Sequence, residues 1–193
     1  MLSFITNTEI WKFLVRVICD IRLYKVGIIF TGESSYKIKG PHVRQILNVL
    51  KPGDVLLRRY DHYVGTMLTP GYWGHAAQCT DEDKVIHMLG DGIEEEDILT
   101  FLRADHIAVL RCKDELLIPD AIKRAKDLFD DDVDYDYAFE SDNTTFYCSE
   151  MIWHDFGKSD KIKFKKYILP DDLLCDLFDV VWVDNHAKDK VNG

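Results

Sequence analysis

A cysteine at the predicted start of a helix is the first group in this sequence that can do chemistry. Cys148 lies in the segment 144–153, whose pattern predicts a helix that begins near the cysteine and ends near Gly157. The first turn of a helix carries unpaired backbone N–H groups and the positive end of the helix dipole. Both favour the thiolate, which is the nucleophilic form of cysteine. The position of Cys148 therefore predicts a nucleophile.

Two histidines upstream supply groups that can take up and hold a proton. His75 begins a predicted strand over 75–79, and His87 lies in a predicted returning strand over 84–89. If the turn between them is centred on Asp81, the two histidines face each other directly on one side of the hairpin, with Cβ atoms roughly 5 Å apart. One imidazole then takes the thiol proton, while the other fixes its tautomer and supports the imidazolium.

Each of these residues also has a structural explanation. A single histidine in a strand is most often structural, and a single cysteine at a helix start is most often a small buried hydrophobe. A zinc site built from His75, Cys79, His87 and Cys148 is a further alternative, although Cys79 lies roughly 13 Å along the strand from His75. The acidic segment 130–136 resembles the start of a calcium loop, but it lacks the glycine and the closing glutamate, so a solvated acidic loop is preferred. We expect no metal ion or other cofactor.

The elements that must position these groups predict an α+β fold. The predicted helices cover 8–24, 41–50, 98–102, 119–129 and 148–157, with a helical turn at 170–174. The predicted strands cover 55–59, 75–79, 84–89, 106–111 and 178–183. The apolar run 26–31 fits a strand or a continuation of the first helix, and a long loop is predicted over 61–74.

Composition and charge narrow the class of protein. The chain has 193 residues, with 34 acidic against 24 basic side chains and a net charge of −10, which argues against nucleic acid as its main partner. Its five cysteines form no disulfide framework, so we expect free thiols and a cytoplasmic location, and we predict neither a secretory signal nor a transmembrane helix. The first predicted helix is expected to pack on its own domain, with peripheral membrane or partner contact as the alternative, through Trp11, Leu14, Val15 and Ile18.

Four short motifs resemble one enzyme family in residue type and in order. They are Gly53-Asp54-Val55-Leu56-Leu57, Trp73-Gly74-His75-Ala76, Val85-Ile86-His87 and Tyr147-Cys148-Ser149-Glu150. Together they are similar to the circularly permuted papain-like enzymes of the NlpC superfamily, including the YiiX-like and lecithin:retinol acyltransferase-like branches. The aromatic stretch 135–139 also resembles the YiiX-like branch. The resemblance implies a permuted papain-like domain over 51–184, in which a central antiparallel sheet or barrel packs on the cysteine helix. Residues 1–50 then form a helical extension, and 185–193 a polar tail.

The same resemblance implies roles for individual residues. Cys148 is the implied nucleophile, His75 the general base and His87 the third, orienting residue. The backbone N–H of Cys148 is an implied oxyanion donor, because it points from the helix start toward the reacting carbonyl. Glu150 in the first helical turn is expected to be structural. Further candidates for binding the oxyanion or the substrate are Tyr147, Tyr63, Tyr60 and Trp73.

The expected activity is thiol-dependent hydrolysis or acyl transfer on an amide or ester, by way of an acyl-enzyme. The family implies a peptide-like, cell-wall or lipid acyl substrate. Some residues near the expected site would suit a lipid chain, although ordinary packing suits them slightly better: Met67, Leu68, Tyr72 and Trp73. Two alternatives stay open, namely a non-catalytic interaction or structural protein that kept the scaffold, and a metal-binding protein.

Overall fold

A six-stranded antiparallel sheet organises the fold. The computed structural model describes residues 21–24, 27–30, 36–140 and 144–191. The strand order in the sheet is β6-β5-β4-β3-β7-β8. Its members are β3 (Val55–Arg59), β4 (His75–Cys79), β5 (Lys84–Leu89), β6 (Gly92–Asp97), β7 (His106–Cys112) and β8 (Phe178–Val183). A separate antiparallel pair joins β1 (Ile21–Tyr24) to β2 (Gly27–Phe30).

The described residues also contain five helices, and the larger ones cover the two faces of the sheet. They are α1 (Gly40–Val49), α2 (Val64–Leu68), α3 (Ile98–Phe101), α4 (Ile118–Asp130) and α5 (Cys148–Asp155). Short 3-10 turns lie at Glu115–Leu117, Pro170–Leu173 and Lys188–Lys190. One apolar core joins α4 and α5 to the sheet, and a second joins α1 and α3 to its other face. The α+β expectation is confirmed.

The helix that begins at Cys148 is held by its apolar residues. Met151 and Ile152 are fully buried against β4 and β5, and each such side chain stabilises the fold by about 1.5–3 kcal/mol. After α5 ends, Gly157 adopts a positive φ of 70°, and its N–H bonds to the carbonyl of His154. This is the glycine-terminated helix end that the sequence predicts. The first residue of the helix is thereby fixed against the central strands.

Most predicted elements of the central domain are confirmed, and four of the strand predictions have the observed bounds: 55–59, 75–79, 84–89 and 178–183. One strand was not predicted. β6 contains the run Glu94-Glu95-Glu96-Asp97, whose charges give no apolar strand pattern. It forms the edge of the sheet, where one strand neighbour and several charged side chains are ordinary.

Two further predictions need correction. The helix predicted over 8–24 is wrong at its end, because Ile21–Tyr24 forms β1; its earlier part lies outside the described residues. The adjoining apolar run is a strand, β2. The long loop predicted over 61–74 contains the short helix α2.

The polar tail is tied to the body of the protein, although the sequence predicts that it frays. Ala187 is fully buried, and the carboxylate of Asp184 accepts the N–H of His186 at 2.9 Å. The same carboxylate lies 3.2 Å from Nδ1 of His106, whose Nε2 lies 3.1 Å from Asp61. A buried histidine between two carboxylates therefore fastens the start of the tail to the segment after β3.

Membrane-spanning helices were sought among the described residues. None of the helices found there has the length and apolar character needed to cross a bilayer.

Candidate active site

The two histidines of the β4–β5 hairpin contact each other. Nε2 of His75 lies 2.8 Å from Nδ1 of His87. The register differs from the prediction, because Gln78 faces Ile86 and the turn is centred one residue later than expected. His87 is therefore a diagonal neighbour of His75 rather than its direct partner. The shift of two positions keeps both on one face, and long flat side chains bridge such a diagonal.

A buried arginine lies beside the histidine pair. Arg58 on β3 is the direct cross-strand partner of His75 and is 7% exposed. Its guanidinium lies over the ring of Phe101, 4.2 Å from the centroid, and the ring of His87 packs against the same phenyl group. Burial, and then the charge of Arg58, lower the pKa of His87 to about 3. The same causes hold the pKa of His75 well below its usual range. Both imidazoles are therefore neutral near pH 7.

A carboxylate extends the polar chain on the far side of His87. Oε2 of Glu96 lies 3.7 Å from Nε2 of His87 and 3.5 Å from the guanidinium of Arg58. Burial raises the pKa of Glu96, and the charge of Arg58 offsets part of that rise. Glu96, His87 and His75 thus form a row that runs inward from the edge strand.

Cys148 is the first residue of α5 and is 8% exposed. Burial raises the pKa of its thiol, and hydrogen bonds with the Ala76 backbone and with Ser149 and the charge of Arg58 act in the opposite direction. The effect of the helix start on the pKa does not outweigh desolvation. The resting side chain is therefore a neutral thiol and not the thiolate that the helix start favours. The contact with Ala76 brings the sulfur to the residue after His75. The electrostatic influence of Arg58 reaches Cys148 and both histidines.

Clamps on either side of Cys148 fix the start of α5. The hydroxyl of Ser149 donates to the carbonyl of Ile168 at 2.7 Å, and the N–H of Ile168 donates to the phenol oxygen of Tyr147 at 2.8 Å. Tyr147 is thus engaged in a structural contact, and burial raises its pKa. Glu150 is 2% exposed in the first helical turn.

The other aromatic candidates occupy different surroundings. Tyr60 packs on Arg58, with the guanidinium 5.1 Å from its ring, and Tyr63 packs on Tyr60. Trp73 is fully buried in the core beneath α5, edge-on to Tyr72. Tyr60 therefore contacts Arg58, which lies beside the histidines, whereas Trp73 packs in the apolar core.

A second clamp positions the loop that leads into His75. The carboxylate of Asp171 accepts the N–H groups of Tyr72 and Trp73, each at 2.9 Å. Gly71 makes this approach possible, because it has φ +96° and a Cβ there would lie 2.4 Å from the carboxylate. Since Ile168 holds the start of α5 three residues earlier in the same segment, this segment ties the loop before His75 to the helix of Cys148.

Sequence reasoning missed Arg58, Glu96 and Asp171. Arg58 sits in the predicted strand 55–59, and a charged residue at an inward position of an apolar strand was the signal that could have identified it. Asp54 of the Gly-Asp motif has a structural role, because it is 1% exposed and receives two hydrogen bonds from Arg111, at 2.8 and 2.7 Å.

The four residues considered as zinc ligands do not converge on one point. Over the described part of the chain, no three His, Cys, Asp or Glu side chains converge where they could hold a metal ion. Burial raises the pKa of Cys79 to about 12, and its sulfur lies 3.1 Å from the carbonyl oxygen of Asp81. In the acidic segment, Asp136 accepts the N–H groups of Ala138 and Glu140.

Comparison with known proteins agrees with this architecture. Residues 49–177 match the family described as permuted papain-like amidase enzyme, YaeF/YiiX, C92 family. Among solved structures, the chain is similar to a protein described as metalloprotein yiiX from Escherichia coli O157:H7. The TM-score is 0.54 at 13% identity, over 69% of this chain and 97% of that one. No curated protein matches the sequence.

Proposed function

The chain belongs to the permuted papain-like amidase family, and we propose that it hydrolyses an amide bond with Cys148 as nucleophile, His75 as general base and His87 as the orienting residue. The proposal rests above all on the 2.8 Å contact between His75 Nε2 and His87 Nδ1, in the hairpin against which the Cys148 helix packs. A base that is held in place by a second imidazole is well suited to general-base activation of a thiol.

The row that ends at Glu96 supports an assignment of the free nitrogen of the base. The carboxylate of Glu96 lies 3.7 Å from Nε2 of His87, which has no hydrogen-bond partner among the described residues, so the negative charge rather than a hydrogen bond favours a proton on that nitrogen and leaves Nδ1 as the acceptor. His75 then carries its own proton on Nε2 and donates it to His87. The lone pair of His75 is consequently on Nδ1, and this atom is the one that takes the proton of the thiol. Glu96 acts here as a positioning residue for the tautomer.

The reaction then proceeds in two balanced steps. The thiol proton passes to Nδ1 of His75 while the sulfur of Cys148 attacks the carbonyl carbon of the amide. The backbone N–H of Cys148 stabilises the oxyanion, and the imidazolium returns its proton to the leaving amine, which gives a thioester. Water, deprotonated by His75, attacks the thioester, and the carboxylic acid and the free thiol are released. Arg58 favours both the thiolate and a readily deprotonated imidazolium, since its charge lowers the pKa of the three groups.

Mass spectrometry of the intact protein tests the proposal. The wild-type chain and the variants Cys148→Ser and Cys175→Ser are incubated with a panel of p-nitroanilide and p-nitrophenyl acyl donors. We expect an acyl adduct on wild type and on Cys175→Ser, where a partly exposed thiol outside the site is removed, and no adduct or turnover with Cys148→Ser. Adducts that persist in Cys148→Ser would refute the nucleophile. The absence of any adduct, with iodoacetamide not selecting Cys148, would favour a non-catalytic protein with the same scaffold.

A further inference from the structure

A cavity beside the candidate active site has a basic and aromatic lining. It is an open cleft with a volume of about 560 Å³. One wall is Pro70, and the other is the segment 163–172, which contributes Lys163, Lys165, Lys166, Phe164 and Tyr167.

The two walls of this cavity are the two loops that position the catalytic groups. Pro70 begins the loop that runs through the Asp171 clamp into His75. On the opposite wall, the segment leads into Ile168, which bonds to both neighbours of Cys148. The ring of Tyr167 also packs on Phe139, and Phe139 packs on Tyr147. The cavity therefore lies between the loop that leads into His75 and the segment that bonds to both neighbours of Cys148.

The charge of the cavity is opposite to that of the chain as a whole. The protein carries a net charge of −10, yet three lysines line this one cavity. Within the described residues, no carboxylate lies within 4 Å of the amino group of Lys163, Lys165 or Lys166, while other lysines do form such ion pairs. The carboxylate on the lining belongs to Asp172, and it already accepts the N–H of Leu169 at 2.8 Å.

The lysines are accompanied by apolar surface that a ligand can cover. Tyr167 is 39% exposed, and the amino group of Lys166 lies 4.6 Å from the centre of its ring. Phe164 is partly buried against Trp153, with ring centres 5.4 Å apart. Lysine side chains over aromatic rings offer both a cation and an apolar platform, which is the combination that an amphiphile with a negative group requires.

We propose that this cavity binds an anionic group, a phosphate or carboxylate, that is joined to an apolar part of the substrate. The inference rests on the proposed function and narrows its substrate class to negatively charged acyl compounds. The lysines attract the charge, the rings of Phe164 and Tyr167 support the apolar part, and the scissile carbonyl lies toward Cys148.

Calorimetric titration of the full chain tests the cavity without requiring turnover. The probes are decyl phosphate below its micellar concentration, neutral decyl maltoside and inorganic phosphate. The cavity variant carries Lys163→Gln, Lys165→Gln and Lys166→Gln. A matched control carries Lys113→Gln, Lys123→Gln and Lys126→Gln, which remove the same charge from exposed positions outside the cavity. A third variant with arginine at the three cavity positions retains the charge.

We expect decyl phosphate to bind the wild-type chain with one-to-one stoichiometry. Its affinity should be at least tenfold weaker for the glutamine cavity variant and nearly unchanged for the control and arginine variants. It should bind more tightly than inorganic phosphate, because the rings contribute. Bound decyl phosphate should also slow alkylation of Cys148 by iodoacetamide, and this protection should be lost in the cavity variant.

Several outcomes would overturn the proposal. Equal weakening in the control variant would mean that net charge alone attracts the probe, and equal binding of decyl maltoside would mean that the charge is irrelevant. Binding of decyl phosphate without protection of Cys148 would place the anion away from the catalytic centre. Because calorimetry does not depend on the thiol, an unreactive Cys148 would refute the proposed function and leave the binding result intact.

Discussion

Removing the carboxylate of Asp171 is a direct test of how the candidate site is held together. In the Asp171→Ala variant, the N–H groups of Tyr72 and Trp73 lose an acceptor that lies 2.9 Å from each. A hydrogen bond to a charged group contributes about 1.5–3 kcal/mol. Asp171 is partly exposed, and burial raises its pKa in spite of the two donors, so we take the low end for each bond. The expected loss in the free energy of unfolding for the two bonds is then about 3 kcal/mol.

The same change should slow the chemistry, since the freed loop leads directly into His75. A displacement of about 1 Å at a catalytic group costs up to about 100-fold in rate, so we expect acylation of Cys148 to fall about 10- to 100-fold. Urea unfolding gives the first quantity, and single-turnover acylation followed by mass spectrometry gives the second. Gly71→Ala should have the same effect from the opposite side, because its Cβ would lie 2.4 Å from the carboxylate.

Asp172→Ala is the matched control. Its carboxylate belongs to the same 3-10 turn but accepts a single N–H, that of Leu169, and makes no hydrogen bond to the loop before His75. We expect a loss of about 1 kcal/mol in stability and a smaller loss in acylation than in Asp171→Ala, because Asp172 does not bond to the loop before His75. If Asp171→Ala loses no more stability than this control and acylates at the wild-type rate, the clamp does not position His75 and the reasoning is wrong.

Three further predictions concern the titrating groups. His75→Ala should be close to inactive in acylation, while His87→Gln should retain more activity than His87→Ala, because an amide still bonds to the base; equal rates for His87→Ala and wild type would leave a Cys–His dyad. Arg58→Met should move the acidic limb of the acylation pH profile to higher pH, since Arg58 lowers the pKa of both histidines; an unmoved limb would exclude this influence. Burial lowers the pKa of His106, but the carboxylates of Asp184 and Asp61 raise it by more, so the pKa is raised overall. The contribution of protonated His106 to stability is therefore complete below about pH 6.5 and is lost as the pH rises through its raised pKa. Over this pH window, the free energy of unfolding measured in urea should fall less for His106→Gln than for wild type.

The proximity of the two histidines was predictable, but their register was not. Alternation of apolar and polar residues in the two strands determines which residues share a face, and it places His75 and His87 on the same one. A shift of the pairing by two residues leaves that result unchanged. The register itself depends on the turn over 80–83, and the polar run there allows more than one centre. The sequence therefore predicts contact between the rings without predicting the diagonal geometry.

The residues that support the histidines were harder to predict because they come from other elements of the fold. Glu96 lies in an acidic run at the sheet edge, and Asp171 lies about 100 residues from the loop that it binds. Neither pairing leaves a local pattern. The protonation of Cys148 has a related cause, since a helix start is visible in the sequence, whereas the burial that opposes its effect depends on how α5 packs.

The burial of Arg58 with incomplete pairing is better explained by a functional role than by a contribution to stability. A buried guanidinium is costly unless its donors are paired. Here the contacts are long, 3.4 Å to the carbonyl of Phe101 and 3.5 Å to Glu96, and Nε has no hydrogen-bond partner. The rings of Phe101 and Tyr60 compensate in part. A methionine of similar length would avoid this cost, but it would not lower the pKa of the thiol and the two imidazoles together. A charge that is incompletely paired and acts on all three proposed catalytic groups is therefore best explained by the chemistry that it adjusts.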